Sequence, residues 1–324
     1  MNTDGAGAED FAYSAGILLE TDDLRVEFFR TARPTTQSLA FTFTGWGERE
    51  RSGYGYGGRF LLKEGYDVVA FKLVEDNWYQ SVPERVFERI DACLAGRAYR
   101  QRVAYGSSMG GYAAIQFSRT LACDIVLAFS PQYRIDQDFD TGYAEWAKRI
   151  DFRYFITADS IAPGCRYFVL YDSREEDRLH MDRLRLFIPP AQLVAQPIPW
   201  AGHPVDVFLS QVGLLKAVPS QVFARASLDG FSFREARARS TAYHVSLSLA
   251  LAARSKDAAA LELIDRAIGM NADVSGYHGH RSVLLERLGR VPEALASVRR
   301  ALALDPGNAD MVSYLEHLQA QDPD

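Results

Sequence analysis

Seven stretches in the first two thirds of the chain are apolar enough to be read as β-strands: residues 24–30 (LRVEFFR), 38–44 (SLAFTFT), 66–73 (YDVVAFKL), 101–105 (QRVAY), 123–129 (CDIVLAF), 165–171 (CRYFVLY) and 192–199 (QLVAQPIP). Several are unbroken apolar runs rather than alternations of apolar and polar residues. A strand covered on both faces reads that way, as in a mostly parallel sheet with flanking helices. Helical spacing predicts helices at 82–96, 109–120 and 177–187, and a further one in VFLSQVGLLKAV after His203. Strand and helix thus alternate in the rhythm of a doubly wound α/β sheet.

Beyond about residue 226 strand patterns cease and Ala- and Leu-rich helical spacing takes over. Ala260, Ile264 and Ala267 recur as Ala294, Val298 and Ala301, an offset of about 34 residues, the tetratricopeptide (TPR) period. Gly289 falls in the turn between the helices of the second unit and Pro306 follows its second helix. In the first unit Ser255 and Ala272 stand at those positions. Residues 240–320 therefore resemble a degenerate TPR pair closed by a capping helix, ADMVSYLEHLQAQ. Two repeats fall short of the roughly three needed for independent stability, so the module is expected to lean on the first domain. The expected division is a catalytic domain over 1–225, with a small lid over 130–164, and helical repeats over 226–324.

The stretch from Gly106 to Gly110 reads GSSMG, which fits G-x-S-x-G. An apolar strand runs into it and YAAIQFSRTLA leaves it as a helix, the context that this motif requires for a serine on a sharp strand-to-helix turn. Gly106 and Gly110 supply missing side chains where the strained turn is crowded, and Gly111 relieves the contact of helix and sheet. Ser108 is the candidate nucleophile. The Met109 N–H, at the helix N-terminus, is a candidate oxyanion donor.

A serine hydroxyl needs a base. His203, in a loop after the last predicted strand, suits that role better than His180, which sits in a helical run. The carboxylate behind the base should follow the penultimate strand. Asp172, at the strand end, is favoured. Asp177 is the alternative, with a competing role as helix N-cap, and Glu175 and Glu176 read as a solvated turn.

The order Ser, Asp, His, with the strand–turn–helix motif and the sheet pattern, resembles the α/β-hydrolase superfamily over residues 25–220. That resemblance implies a second oxyanion donor in the loop after the second predicted strand, GWGERERSGYGYGG, where Gly45 and Trp46 are the candidates. The lipase-type HGGG is missing there. Asn77, Trp78 and Tyr79 follow a strand end and are candidate pocket residues, as is Tyr133. Tyr143, Trp146 and Phe155 add aromatic character to the possible lid. The implied activity is that of a serine esterase or thioesterase, with an amide as a rarer substrate or an alcohol replacing water in an acyltransferase. An interaction protein built on the TPR-like repeats, with a localised or vestigial hydrolase domain, is the other reading.

Other signals narrow the picture. GYGYGG (53–58) satisfies a dinucleotide fingerprint but does not directly follow a strand. HGH (278–280) has no ligand-spaced companion, and no metal or organic cofactor is implied. A net charge of −6, with scattered arginines, speaks against a nucleic-acid partner. No apolar run approaches the ~20 residues of a membrane span. The start, MNTDGAGAEDFAYSAG, lacks the marks of a secretory signal. Three cysteines, an odd number without metal spacing, suggest a reduced, cytoplasmic protein. The expected partners are a small ester or acyl substrate and a peptide or protein at the repeats.

Overall fold

The computed structural model describes residues 11–34, 37–136, 139, 141–174 and 176–321. Eight strands form one sheet: β1 (Ala12–Glu20), β2 (Leu24–Thr31), β3 (Ser38–Phe43), β4 (Asp67–Leu73), β5 (Gln101–Ser107), β6 (Ile125–Phe129), β7 (Arg166–Tyr171) and β8 (Leu193–Pro197). Their order across the sheet is β1-β2-β4-β3-β5-β6-β7-β8. Strands β3 to β8 are parallel, whereas β1 and β2 run antiparallel to their neighbours. β3 and β6 are buried along their whole length and β7 everywhere but its first residue, while the edge strand β8 is only partly covered. Unbroken apolar runs thus mark the interior of the sheet. β1 escapes the sequence pattern because it begins AYSAG, poor in β-branched residues, and its register is broken by irregularities between Ser14 and Gly16 and between Ile17 and Leu19.

Among the described residues seven α-helices accompany these strands: α1 (Gly58–Lys63), α2 (Arg85–Leu94), α3 (Met109–Gln116), α4 (Ala144–Ala147), α5 (Asp177–Leu184), α6 (Val205–Gln211) and α7 (Ala217–Arg225). The helix expected after His203 is two, α6 and α7, with Gly213 in the left-handed region between them. Successive residues of β5 face opposite ways. The Tyr105 ring meets Phe223 of α7, whereas a Cβ added at Gly106 would lie 2.2 Å from the carbonyl oxygen of Gly110 in α3. Helices therefore cover both faces of an α/β-hydrolase-like sheet. Gly110 is as constrained, since a Cβ there would lie 2.3 Å from the Phe43 oxygen. Both neighbours are backbone atoms that cannot step aside.

The remaining helices are α8 (Phe233–Ala236), α9 (Thr241–Ala252), α10 (Asp257–Met270), α11 (Ser275–Arg287), α12 (Val291–Leu304) and α13 (Ala309–Gln321). The pairs α9/α10 and α11/α12 are two copies of one helical hairpin, with matching ends about 34 residues apart. Ala260, Ile264 and Ala267 and their counterparts Ala294, Val298 and Ala301 are all fully buried. Ser248 Oγ donates to the Ala260 carbonyl at 2.7 Å, and Ser282 Oγ to the Ala294 carbonyl at 2.8 Å. Even the turn is shared, because Ser255 adopts the same left-handed backbone (φ 55°) as Gly289 (φ 75°). This is a TPR-like stack. Its two histidines of the HGH triplet diverge: His278 meets the Ala272 carbonyl at 2.8 Å and His280 meets Ser248 Oγ at 3.0 Å.

The chain falls into two compact units. The first holds residues up to 198, with 203–206 and 214–231, and the second holds 199–202, 207–213 and 232 onward. The division is thus not a single cut near residue 225. Within the second unit Gln211 donates to Thr241 Oγ1 and accepts from Ser240 Oγ and the Ala242 N–H, which explains why its segment belongs with the helices. Among the described residues no helix is long and apolar enough to cross a membrane.

Candidate active site

Ser108 stands between β5 and α3 with φ 52° and ψ −116°, a backbone region that an ordinary side chain enters only under strain. The surroundings hold it there. Its N–H donates to the Phe129 carbonyl at 2.8 Å, and its own carbonyl accepts from Tyr112 at 3.0 Å. Gly106 and Gly110 pack carbonyl to Cα with no room for a Cβ. The strand-to-helix reversal therefore carries the Ser108 side chain out at the carboxyl end of β5.

There Ser108 Oγ lies 2.9 Å from His203 Nε2. On the other side of the ring, His203 Nδ1 lies 2.6 Å from Asp177 Oδ1. Asp177 is buried, and its second oxygen accepts from the Asp172 N–H at 3.1 Å. Burial by itself would lower the His203 pKa; the hydrogen bond and charge of Asp177, helped by Asp206 and Glu176, outweigh it and hold the pKa above the usual imidazole value.

The carboxylate against the ring is therefore Asp177, not the favoured Asp172. Asp172 is fully buried, but its Oδ1 accepts from the Arg174 N–H at 2.8 Å. It closes a local turn at the end of β7, a habit of aspartate at such positions. The N-cap role that made Asp177 the second choice is not what Asp177 does. Glu176 is the cap residue, and Asp177 opens α5 with its side chain turned to the histidine. Glu175 lies outside the described residues. His180 is buried elsewhere, accepting at Nδ1 from the Tyr133 N–H at 3.0 Å.

Met109 is the first residue of α3, so its N–H is one of the four that find no partner within the helix. The two other candidate donors, Gly45 and Trp46, both line the cavity, and Trp46 is half-exposed at its wall.

A cavity of about 440 Å³ opens over Ser108 and His203. Of the four pocket residues expected from sequence, only Trp78 lines it. Trp78 is nearly buried, and its Nε1 donates to Gln132 Oε1 at 2.7 Å. Tyr79 turns into the core instead, its hydroxyl donating to the Thr44 carbonyl at 2.9 Å. Both residues have left-handed backbone, φ 49° and 60°, which sends the two neighbouring rings to different destinations. Asn77 bonds Ser81 Oγ at 2.8 Å, and Tyr133 stacks on Phe187 at 5.6 Å; neither lines the cavity. From the segment expected as a lid, whose residues 137, 138 and 140 lie outside the described residues, Tyr143 and Trp146 do form cavity wall. Sequence reasoning missed Glu48, Gln132 and Asp206, which also line it. Their spacing carries no motif, although each follows the carboxyl end of a strand or the histidine by a few residues.

No protein-family model matches the chain, and no curated protein matches it. Among solved structures it is similar to the capsule O-acetyltransferase of Neisseria meningitidis serogroup A, at 11 % identity over 64 % of this chain and 94 % of that one, with a TM-score of 0.42. It is also similar to an α/β serine hydrolase without lid from Xanthomonas campestris, at 16 % identity over 58 % of this chain and 85 % of that one, with a TM-score of 0.36. A further likeness is to MamA, at 15 % identity and a TM-score of 0.27, covering 37 % of this chain and just under two thirds, 65 %, of MamA. These are likenesses of fold; the chemistry has to be read from the geometry of the site itself.

Proposed function

We propose that this protein is a serine hydrolase that cleaves an ester or thioester through an acyl-enzyme on Ser108. The observation that carries this reading is the unbroken relay from Ser108 Oγ to His203 Nε2 at 2.9 Å and from His203 Nδ1 to Asp177 Oδ1 at 2.6 Å. As Ser108 Oγ attacks the acyl carbon, its proton passes to His203 Nε2, and Asp177 stabilises the imidazolium and fixes its tautomer. The oxyanion accepts from the Met109 N–H and, in this proposal, from a second backbone N–H at Gly45 or Trp46, both of which line the cavity. His203 returns the proton to the leaving alcohol or thiol, whose bond to the acyl carbon breaks. Water, deprotonated by the same ring, then releases the acid and restores Ser108. An alcohol in place of that water would make the same residues an acyltransferase. Unpaired cysteines, Cys93, Cys123 and Cys165, suit a reducing compartment such as the cytoplasm.

The test is labelling by a fluorophosphonate, followed by a panel of p-nitrophenyl esters of increasing chain length beside acyl-CoA thioesters. Wild type labels and Ser108→Ala does not; turnover of one ester class fixes the acyl length. The periodic helices favour a second reading, a platform for a peptide partner. Labelling indifferent to Ser108→Ala would leave that platform as the protein's role.

A further inference from the structure

The cavity over Ser108 carries more charge and polarity than acyl transfer by the three relay residues requires. Glu48 and Asp206 both line it, and no lysine or arginine does among the described residues. The two carboxyls are close enough to repel. Glu48 is held above its usual carboxylate range chiefly by burial, with a smaller contribution from the charge on Asp206. Asp206 Oδ2 accepts from the Tyr56 hydroxyl at 2.8 Å, but Oδ1 is buried without a hydrogen-bond partner. A buried carboxylate oxygen without a partner is costly.

Gln132 is independent of these carboxylates and points to a ligand in its own right. It is 1 % exposed, and its Oε1 is taken by the Trp78 indole N–H, which fixes the amide's orientation; its Nε2, with two N–H donors, has no partner. The cavity wall therefore holds unused donors on one element and unused negative charge on others.

The walls between them are aromatic. Trp46 meets Trp146 edge to face at 5.6 Å, and Trp78 meets Tyr143 at 5.7 Å. Trp46 is 51 % and Trp146 38 % exposed, and paired exposed indoles at a cavity mouth mark a contact surface. Aromatic faces beside uncompensated carboxylates attract an organic cation, by the ring quadrupole and by direct charge.

We propose that this cavity recognises an organic ammonium group on the substrate, seated between Glu48, Asp206 and the aromatic walls, while Gln132 Nε2 donates to an ester or acyl oxygen. The substrate class is then an ester or thioester of an ammonium-bearing alcohol, thiol or acid. This rests on the hydrolase reading for its chemistry, but the recognition itself does not depend on turnover.

Two measurements separate them. The first compares acetylthiocholine with the uncharged isostere 3,3-dimethylbutyl thioacetate by thiol release. The charged ester is expected to have the higher kcat/KM by about tenfold or more, and the double variant Glu48→Gln/Asp206→Asn to bring that ratio close to one. The second follows tryptophan fluorescence of the Ser108→Ala protein titrated with choline or with 3,3-dimethyl-1-butanol; choline is expected to bind and the neutral alcohol not. Choline binding without turnover of any ester by the wild type would remove the hydrolase reading and uphold the ammonium site. Equal or better use of the neutral thioester, or equal binding of the two alcohols, would overturn the proposal.

Discussion

Two aspartates five residues apart depart from the roles that their positions suggest. Asp172, at the strand end, spends its carboxylate on the Arg174 N–H, and Asp177, at the helix start, spends its own on His203. Asp177→Asn should lower kcat by about 10⁴-fold, as expected when the histidine loses its charge partner and correct tautomer. Asp172→Asn keeps an oxygen to accept from Arg174, and its cost should appear as about 1–2 kcal/mol of stability rather than in kcat. Kinetics and urea denaturation of the two variants check the assignment. The His203 pKa is held above the ordinary imidazole value, and the base works only when neutral. The acid limb of the kcat/KM profile should therefore lie above the ordinary imidazole range, and Asp177→Asn should move it to lower pH. The same shift has a sign for stability. The charged His203–Asp177 pair contributes fully below the unfolded imidazole value, and that contribution is lost as pH rises through the raised one. The serine and the histidine were legible in the sequence because strand, glycine pair and loop position converge on them. The choice of acid was not, since either aspartate satisfies the spacing and only the direction of the side chain decides.

At the scale of elements, burial on both faces made the interior strands readable; β8 at one edge is only partly covered, and β1 at the other, with its small residues, escaped the pattern. The left-handed Trp78 and Tyr79 have no sequence signature, so which ring faces the cavity could not be foreseen. In the helical unit the repeat was readable from its small buried residues, Ala260 and Ala294 among them, while the turn of the first copy had lost its glycine. Ser255 nevertheless keeps the left-handed backbone at φ 55°, at a cost of about 1–2 kcal/mol for a residue with a Cβ. Ser255→Gly should then stabilise the protein by about 0.5–1 kcal/mol, the strain relieved less the extra entropy of a glycine in the unfolded chain. Gly289→Ala, where a Cβ would meet open space, should destabilise by about 1–2 kcal/mol through backbone strain alone. Chemical denaturation of both variants gives the two signs.

For the molecule as a whole, the net charge of −6 acts beyond any one contact. A negative protein with carboxylates at its cavity draws cations toward the opening. The kcat/KM for acetylthiocholine should therefore fall as salt rises from about 0.01 to 0.15 M, where the Debye length shrinks from about 30 to 8 Å. That for the uncharged isostere should stay level, and stopped-flow or steady-state rates at several ionic strengths measure the difference. Composition revealed that two kinds of architecture share the chain, but not how the sequence is dealt out between them. The short pieces 199–202 and 207–213 belong to the helical unit, although they flank His203 and precede the last stretch of the sheet unit. A single cut therefore cannot part the two units: one before residue 199 would take His203 away with the repeats, and one after 231 would leave 199–202 and 207–213 behind without the helices they cluster with.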